Sequence, residues 1–182
     1  MLRPSIRSTV PLAALVLCPL GAASAQSAAS PQLTDANIAA IVVAANTIDI
    51  EYARIAQQKT RNPEVRKFAD TMARDHAAVN EQATELATRL RLTPVENELS
   101  RKLAADAEKT RAELRAKSGA EFDRAYIANE VAYHQAVLDA IDQALIPSAR
   151  NAELKALLQA VRPAVAGHLQ HAKQLQAALE RR

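Results

Sequence analysis

Four histidines lie in this chain, and three of them stand where a buried aliphatic side chain belongs. Downstream of Asn62-Pro63 the pattern Val65, Ala69, Met72, His76, Val79, Ala83, Leu86, Leu90 keeps an alternating four-and-three spacing. The same spacing gives Ile127, Val131, His134, Leu138, Ile141, Leu145, and then Leu154, Leu158, Val161, Val165, His168, Ala172, Leu175, Leu179. Such a stripe faces partner helices. Each stripe carries one imidazole, and burying an imidazole without partners costs a few kcal/mol. Glu51 falls in register with Ile41, Ala44, Ile48 and Ile55, and Glu130 sits one helical turn before His134. The chemistry that fits is neutral imidazole nitrogens and a carboxylate around a transition metal ion, with zinc, copper, nickel or iron as candidates. The expected ligands are His76, His134 and His168 with Glu51 or Glu130. Imidazoles bind metal only when neutral, so binding should weaken as pH falls below the histidine reference value of about 6.5.

A second reading assigns the same residues to a hydrogen-bonded polar layer that fixes helix register. An enzyme is the third. A di-iron centre needs Glu-x-x-His on two helices, whereas Met72 precedes His76 by four residues and Glu130 precedes His134 by four. His171 could supply a further nitrogen but belongs more naturally to the flank of its helix. Tyr52, Tyr126 and Tyr133 read as packing with a hydroxyl at a polar edge. The sequence contains no nucleophile elbow, phosphate loop or zinc-protease motif.

The elements that must position these groups are helices. With 49% hydrophobic residues, only 3 Gly and no Trp, and with no run alternating at period two, the chain reads as all-α. The first helix is expected from a cap at Thr34 or Asp35 to about Thr60, and the second from Pro63 or Glu64 to about Leu92. The third should run from about Val95 to Lys117, amid many charges, and the fourth from Ala120 to about Leu145. The last covers Asn151 to Glu180, with Pro163 kinking or dividing it. Five successive antiparallel helices leave the second and fourth parallel, with the third returning between them. Two hairpins joined by a crossover is the ferritin-like arrangement, four core helices plus a crossover helix. On that arrangement His76 and His134 lie at matching heights, and Glu51 lies about 5 Å from the level of His76.

Ahead of the bundle, Arg3 and Arg7 precede an apolar run from Val10 to Leu20 that is too short to span a bilayer, and Ala23-Ser24-Ala25 offers a cleavage pattern. Residues 1–25 therefore read as a signal peptide cut after Ala25, residues 26–33 as a flexible leader, and residues 34–180 as the bundle domain. Val16-Leu17 before Cys18 and Pro19 after it fit lipoprotein processing poorly. Cleavage removes the only cysteine, so neither disulfides nor thiol chemistry enter. The 23 Lys and Arg against 20 Asp and Glu leave a nearly balanced chain, which excludes a nucleic-acid footprint. A periplasmic or secreted location follows, with no transmembrane segment in the mature chain and with a protein partner or a homo-oligomer compatible.

Three segments resemble the exported bacterial proteins of domain-of-unknown-function family 4142. They are Asn62-Pro63-Glu64-Val65-Arg66-Lys67-Phe68-Ala69 with Met72, Asp75 and His76; Gly119 to Tyr126 with His134; and the tail around His168-Leu169. The likeness extends over roughly Leu33 to Leu179. It implies a ferritin-like domain in the bacterial envelope, with the recurrent family residues at Asp75, His76, Phe122, Asp123, Tyr126, His134 and His168. It implies no reaction.

Overall fold

The computed structural model describes residues 33–181; the expected signal peptide with its expected cut after Ala25, Cys18 and the expected leader up to Gln32 lie outside them. Helix α1 (Asp35–Lys59) starts on a capping box in which the Thr34 hydroxyl accepts from the Asn37 amide and Asn37 Oδ1 accepts from the Thr34 amide. Helix α2 (Pro63–Arg89) has Pro at its first turn, and Asn62 Oδ1 takes the Glu64 amide at 3.0 Å. Helix α3 (Glu98–Ala116) begins at a box between Asn97 and Ser100, three residues later than the sequence reading placed it. The Val95 amide is instead bonded to Ala36 O, and Asn37 Nδ2 donates to Val95 O. That stretch is therefore tied to the start of α1 and is not free to coil.

Helix α4 (Gly119–Ala140) passes into a π-helical turn (Ile141–Leu145), and a short helix α5 (Ile146–Ser148) follows. Gly119 opens α4 at φ +56°, a backbone conformation that side chains other than glycine's disfavour. Helix α6 (Ala152–Glu180) starts on Asn151 Oδ1, which accepts from the Glu153 and Leu154 amides. It runs unbroken through Pro163, so the expected division there does not occur. Proline removes one backbone donor, but apolar contacts on both sides keep α6 in place: Leu154, Leu158 and Val165 in one core cluster, Ala172 and Leu175 in another.

No strand occurs among the described residues, and none of their helices is long and apolar enough to cross a membrane. Helices α1 and α2 form one hairpin and α4 with α6 the other, while α3 lies chiefly along α1. Cross-contacts give the directions. Phe68 meets Tyr126 and His76 meets His134, so α2 and α4 run parallel. Phe68 meets His171, Asp75 meets His168 and Arg89 meets Glu153, so α2 and α6 are antiparallel. The core divides into two clusters. One holds Tyr52, Phe68, Met72, Phe122, Tyr126 and Ala172; the other holds Ile38, Val42, Leu86, Ile141, Leu145, Leu158 and Val165. The polar residues lie at the level between them.

Candidate metal centre

His76 on α2, His134 on α4 and His168 on α6 form a triangle with ring centroids 5.5, 5.3 and 5.5 Å apart. Each ring has one nitrogen committed outward. His76 Nδ1 lies 2.7 Å from Asn46 Oδ1, and the Asn46 amide nitrogen is itself donating to Val42 O at 2.8 Å. The oxygen must therefore accept, and His76 carries its proton on Nδ1. His134 Nδ1 donates to the Glu130 carbonyl, one turn back, at 3.0 Å. His168 Nε2 donates to Asp75 Oδ2 at 3.0 Å. What remains is a lone pair on His76 Nε2, His134 Nε2 and His168 Nδ1, all three buried and without hydrogen-bond partners. Each of the three rings can offer one nitrogen within 4.8 Å of those of the other two. Outer acceptors that fix the tautomer and aim the free nitrogen are what metal-binding histidines require.

Asp49 of α1 completes the group. It is 0% exposed, and its Oδ2 lies 3.1 Å from His76 Nε2 and 3.4 Å from His134 Nε2. A carboxylate oxygen facing two imidazole lone pairs is repulsive until a proton or a cation lies between them. Burial pushes the Asp49 carboxyl up to about 8. Glu130, also 0% exposed, is raised by burial and then by the charge of Asp49. Burial, then His134 and His168, lowers His76 to about 3, and burial lowers His134 to about 4. His168 is lowered by burial, with Asp75 opposing. His76 and His134 are therefore held neutral and His168 is biased the same way, a state suited to binding metal.

Of the residues expected from sequence, the three histidines converge. Glu130 comes close as well, its Oε2 lying 3.4 Å from His134 Nδ1, the nitrogen already bound to a carbonyl; with Asp49 and His134 it makes a second group whose ligand atoms lie within 4.8 Å. Glu51 does not join. Its carboxylate pairs with Arg111 of α3, and its side chain is 41% exposed. The cause is that α1 buries two stripes at once. Ile41, Ile48 and Ile55 share a flank with Glu51, whereas Val42, Asn46, Asp49, Ala53 and Ala56 make the other buried stripe, the one that carries the polar contacts to the histidines. Asp49, two residues from Glu51, is the carboxylate that sequence reasoning missed. The signal was the height count, because Asp49 lies nearer than Glu51 to the level of His76 across the Asn62 turn.

Asn46 was also missed as a support of the site, while Asp75 entered only through the family resemblance. Asp75 points away from His76, as its 100° offset demands, and reaches His168 instead. His171 is half-buried, edge-on to Phe68 at 5.1 Å, and outside the group. Tyr133 donates its hydroxyl to Ala45 O at 2.9 Å, and Tyr52 packs edge-on to it. Asp123 accepts from the Thr60 hydroxyl and joins the end of α1 to α4, beside Phe122 and Tyr126.

The family described as "Domain of unknown function (DUF4142)" matches residues 20–175, a range that includes every residue of the site. No curated protein matches the chain. A crystal structure described as that of a secreted protein, DUF305, from Streptomyces coelicolor superposes with a TM-score of 0.66 at 13% identity, covering 79% of this chain and 92% of that one. At that identity the likeness concerns the fold alone.

Proposed function

Since the chain belongs to the DUF4142 family, whose description carries no reaction, we propose a function from the site itself: an exported helical-bundle protein that binds one transition metal ion. The ligands would be His76 Nε2, His134 Nε2 and His168 Nδ1, with Asp49 as the fourth and Glu130 as the neighbouring carboxylate. The observation that carries this reading is the set of three tautomer-fixed imidazoles, each able to offer a nitrogen within 4.8 Å of the others and each with a buried nitrogen left unpartnered, beside a buried acid. A nitrogen-rich set with one carboxylate suits zinc, copper, nickel or iron over magnesium or calcium. Export to the periplasm or beyond is supported by the leader pattern of residues 1–25 and by a structural neighbour described as secreted. The two-hairpin arrangement supports a ferritin-like description of the bundle.

A second reading rests on the 3.1 Å approach of Asp49 Oδ2 to His76 Nε2. A protonated Asp49 would donate across that contact and close a structural polar layer with no ion. Elemental analysis of tag-free protein from the periplasm, followed by titration with zinc, copper and nickel, separates the two. Metal binding requires one ion per chain, a melting temperature raised by added ion in wild type, and loss of both in His134→Ala. A structural layer requires an unmoved melting temperature, and there His134→Leu holds or raises stability.

A further inference from the structure

Asp49 and the three histidines also form one end of a cavity of about 190 Å³. From that polar end its lining follows α4 and the π-helical turn from His134 to Leu145, and α6 from His168 back to Leu158. At about 1.5 Å of rise per residue, those spans are roughly 15 to 17 Å long. An apolar hole of roughly 150 Å³ takes up a benzene-sized molecule. A comparable volume drawn out over such a length is a tube, which suits a chain better than a ring. Beyond the site its walls are aliphatic, with Val137, Ile141, Leu145, Leu158 and Val161 among them, while at the site end three nitrogens and a carboxylate lack partners. The π-helical turn supplies two of those walls, Ile141 and Leu145.

We propose that this cavity binds a single medium-length aliphatic chain with one compact oxygen head, a fatty acid or fatty alcohol, its head at Asp49 and the histidines and its tail toward Leu145 and Leu158. The tail's place follows from the cavity alone. The head's preference rests on the metal reading, because a cation beside Asp49 attracts a carboxylate head most strongly, whereas a hydroxyl head can donate to an imidazole nitrogen directly.

The test is calorimetric titration of decanoic acid and 1-decanol into apo and zinc-loaded protein, with Val161→Phe and Ala140→Leu, both at residues that line the cavity, as cavity-filling variants. We expect 1-decanol to bind the apo protein, decanoic acid to bind the zinc-loaded form at least tenfold more tightly than the apo form, and both variants to weaken each probe at least tenfold. Zinc stoichiometry should stay as in wild type. Should Val161→Phe misfold by circular dichroism, Ala140→Leu decides. Absence of binding by either probe, or wild-type affinity in the folded variants, overturns the proposal and leaves the zinc titration standing. Binding of 1-decanol that the variants abolish, in a protein that takes up no metal, supports the proposal and overturns only the metal reading.

Discussion

The two halves of this bundle are built differently although the same helices run through both. Toward the α1–α2 turn the core is aromatic: Phe68, Phe122 and Tyr126 are 0% exposed, and Tyr52 packs against Tyr133. Toward the opposite end the core is aliphatic, with Ile38, Val42, Leu86, Ile141, Leu145 and Leu158, and it encloses the cavity. Large rings fill space with few rotamers to fix, whereas the aliphatic side chains of the other end leave a gap of about 190 Å³ between them. The buried acids and imidazoles lie at the seam. A filled half on one side packs against their helices, and the cavity on the other leaves room beside them. Precision and access are thus divided along the bundle axis.

That contrast can be broken by mutation. The largest effect expected is at the aromatic end: Phe68→Ala should destabilise by about 3–5 kcal/mol, read from urea midpoints. Leu158→Ala, whose side chain already borders a void, should cost about 2–3 kcal/mol, near the lower limit for such truncations. Equal losses at the two sites would remove the distinction between the halves.

The seam itself should show in pH dependence. In the ion-free protein, His76 and His134 are neutral in both folded and unfolded chains above their ordinary value of 6.5, while folded Asp49 keeps a proton up to about 8 and the unfolded residue does not. The folded state then holds the extra proton, so stability should fall as pH rises from 6.5 to 8, and Glu130 acts in the same direction. Asp49→Asn should flatten that window. Metal uptake has the opposite sense, since it displaces the Asp49 proton. It should strengthen toward pH 8 instead of being governed by histidine protonation near 6.5. A melting curve series in which Asp49→Asn tracks wild type would take Asp49 out of the site. The smallest effect is expected for His171→Ala, which loses only an edge contact with Phe68 and should leave metal stoichiometry unchanged.

Much of this architecture could be read locally. Asn62-Pro63, Ser118-Gly119 and Asn151 each punctuate the chain by themselves, and the helices begin where those residues put them. The three histidines were legible because α2, α4 and α6 each bury one dominant stripe. Helix α1 packs against α2, α3 and α4, so periodicity alone could not tell the stripe of Glu51 from that of Asp49. The start of α3 was misplaced because Val95 is held by α1, a contact between residues distant in sequence. The continuity of α6 through Pro163 and the π-helical turn at Ile141 are likewise decided by packing, against the local preferences of the chain.

The start of α1 does more than begin a helix. Asp35 accepts the Arg150 and Asn151 amides at 2.9 and 3.0 Å, Ala36 O takes the Val95 amide, and Asn37 holds Val95 O. Three consecutive residues thus fasten both long connections of the bundle at one end. Amide protons of Val95, Arg150 and Asn151 therefore belong to the same opening event as the first turn of α1. In hydrogen exchange they should protect and open as one cooperative unit.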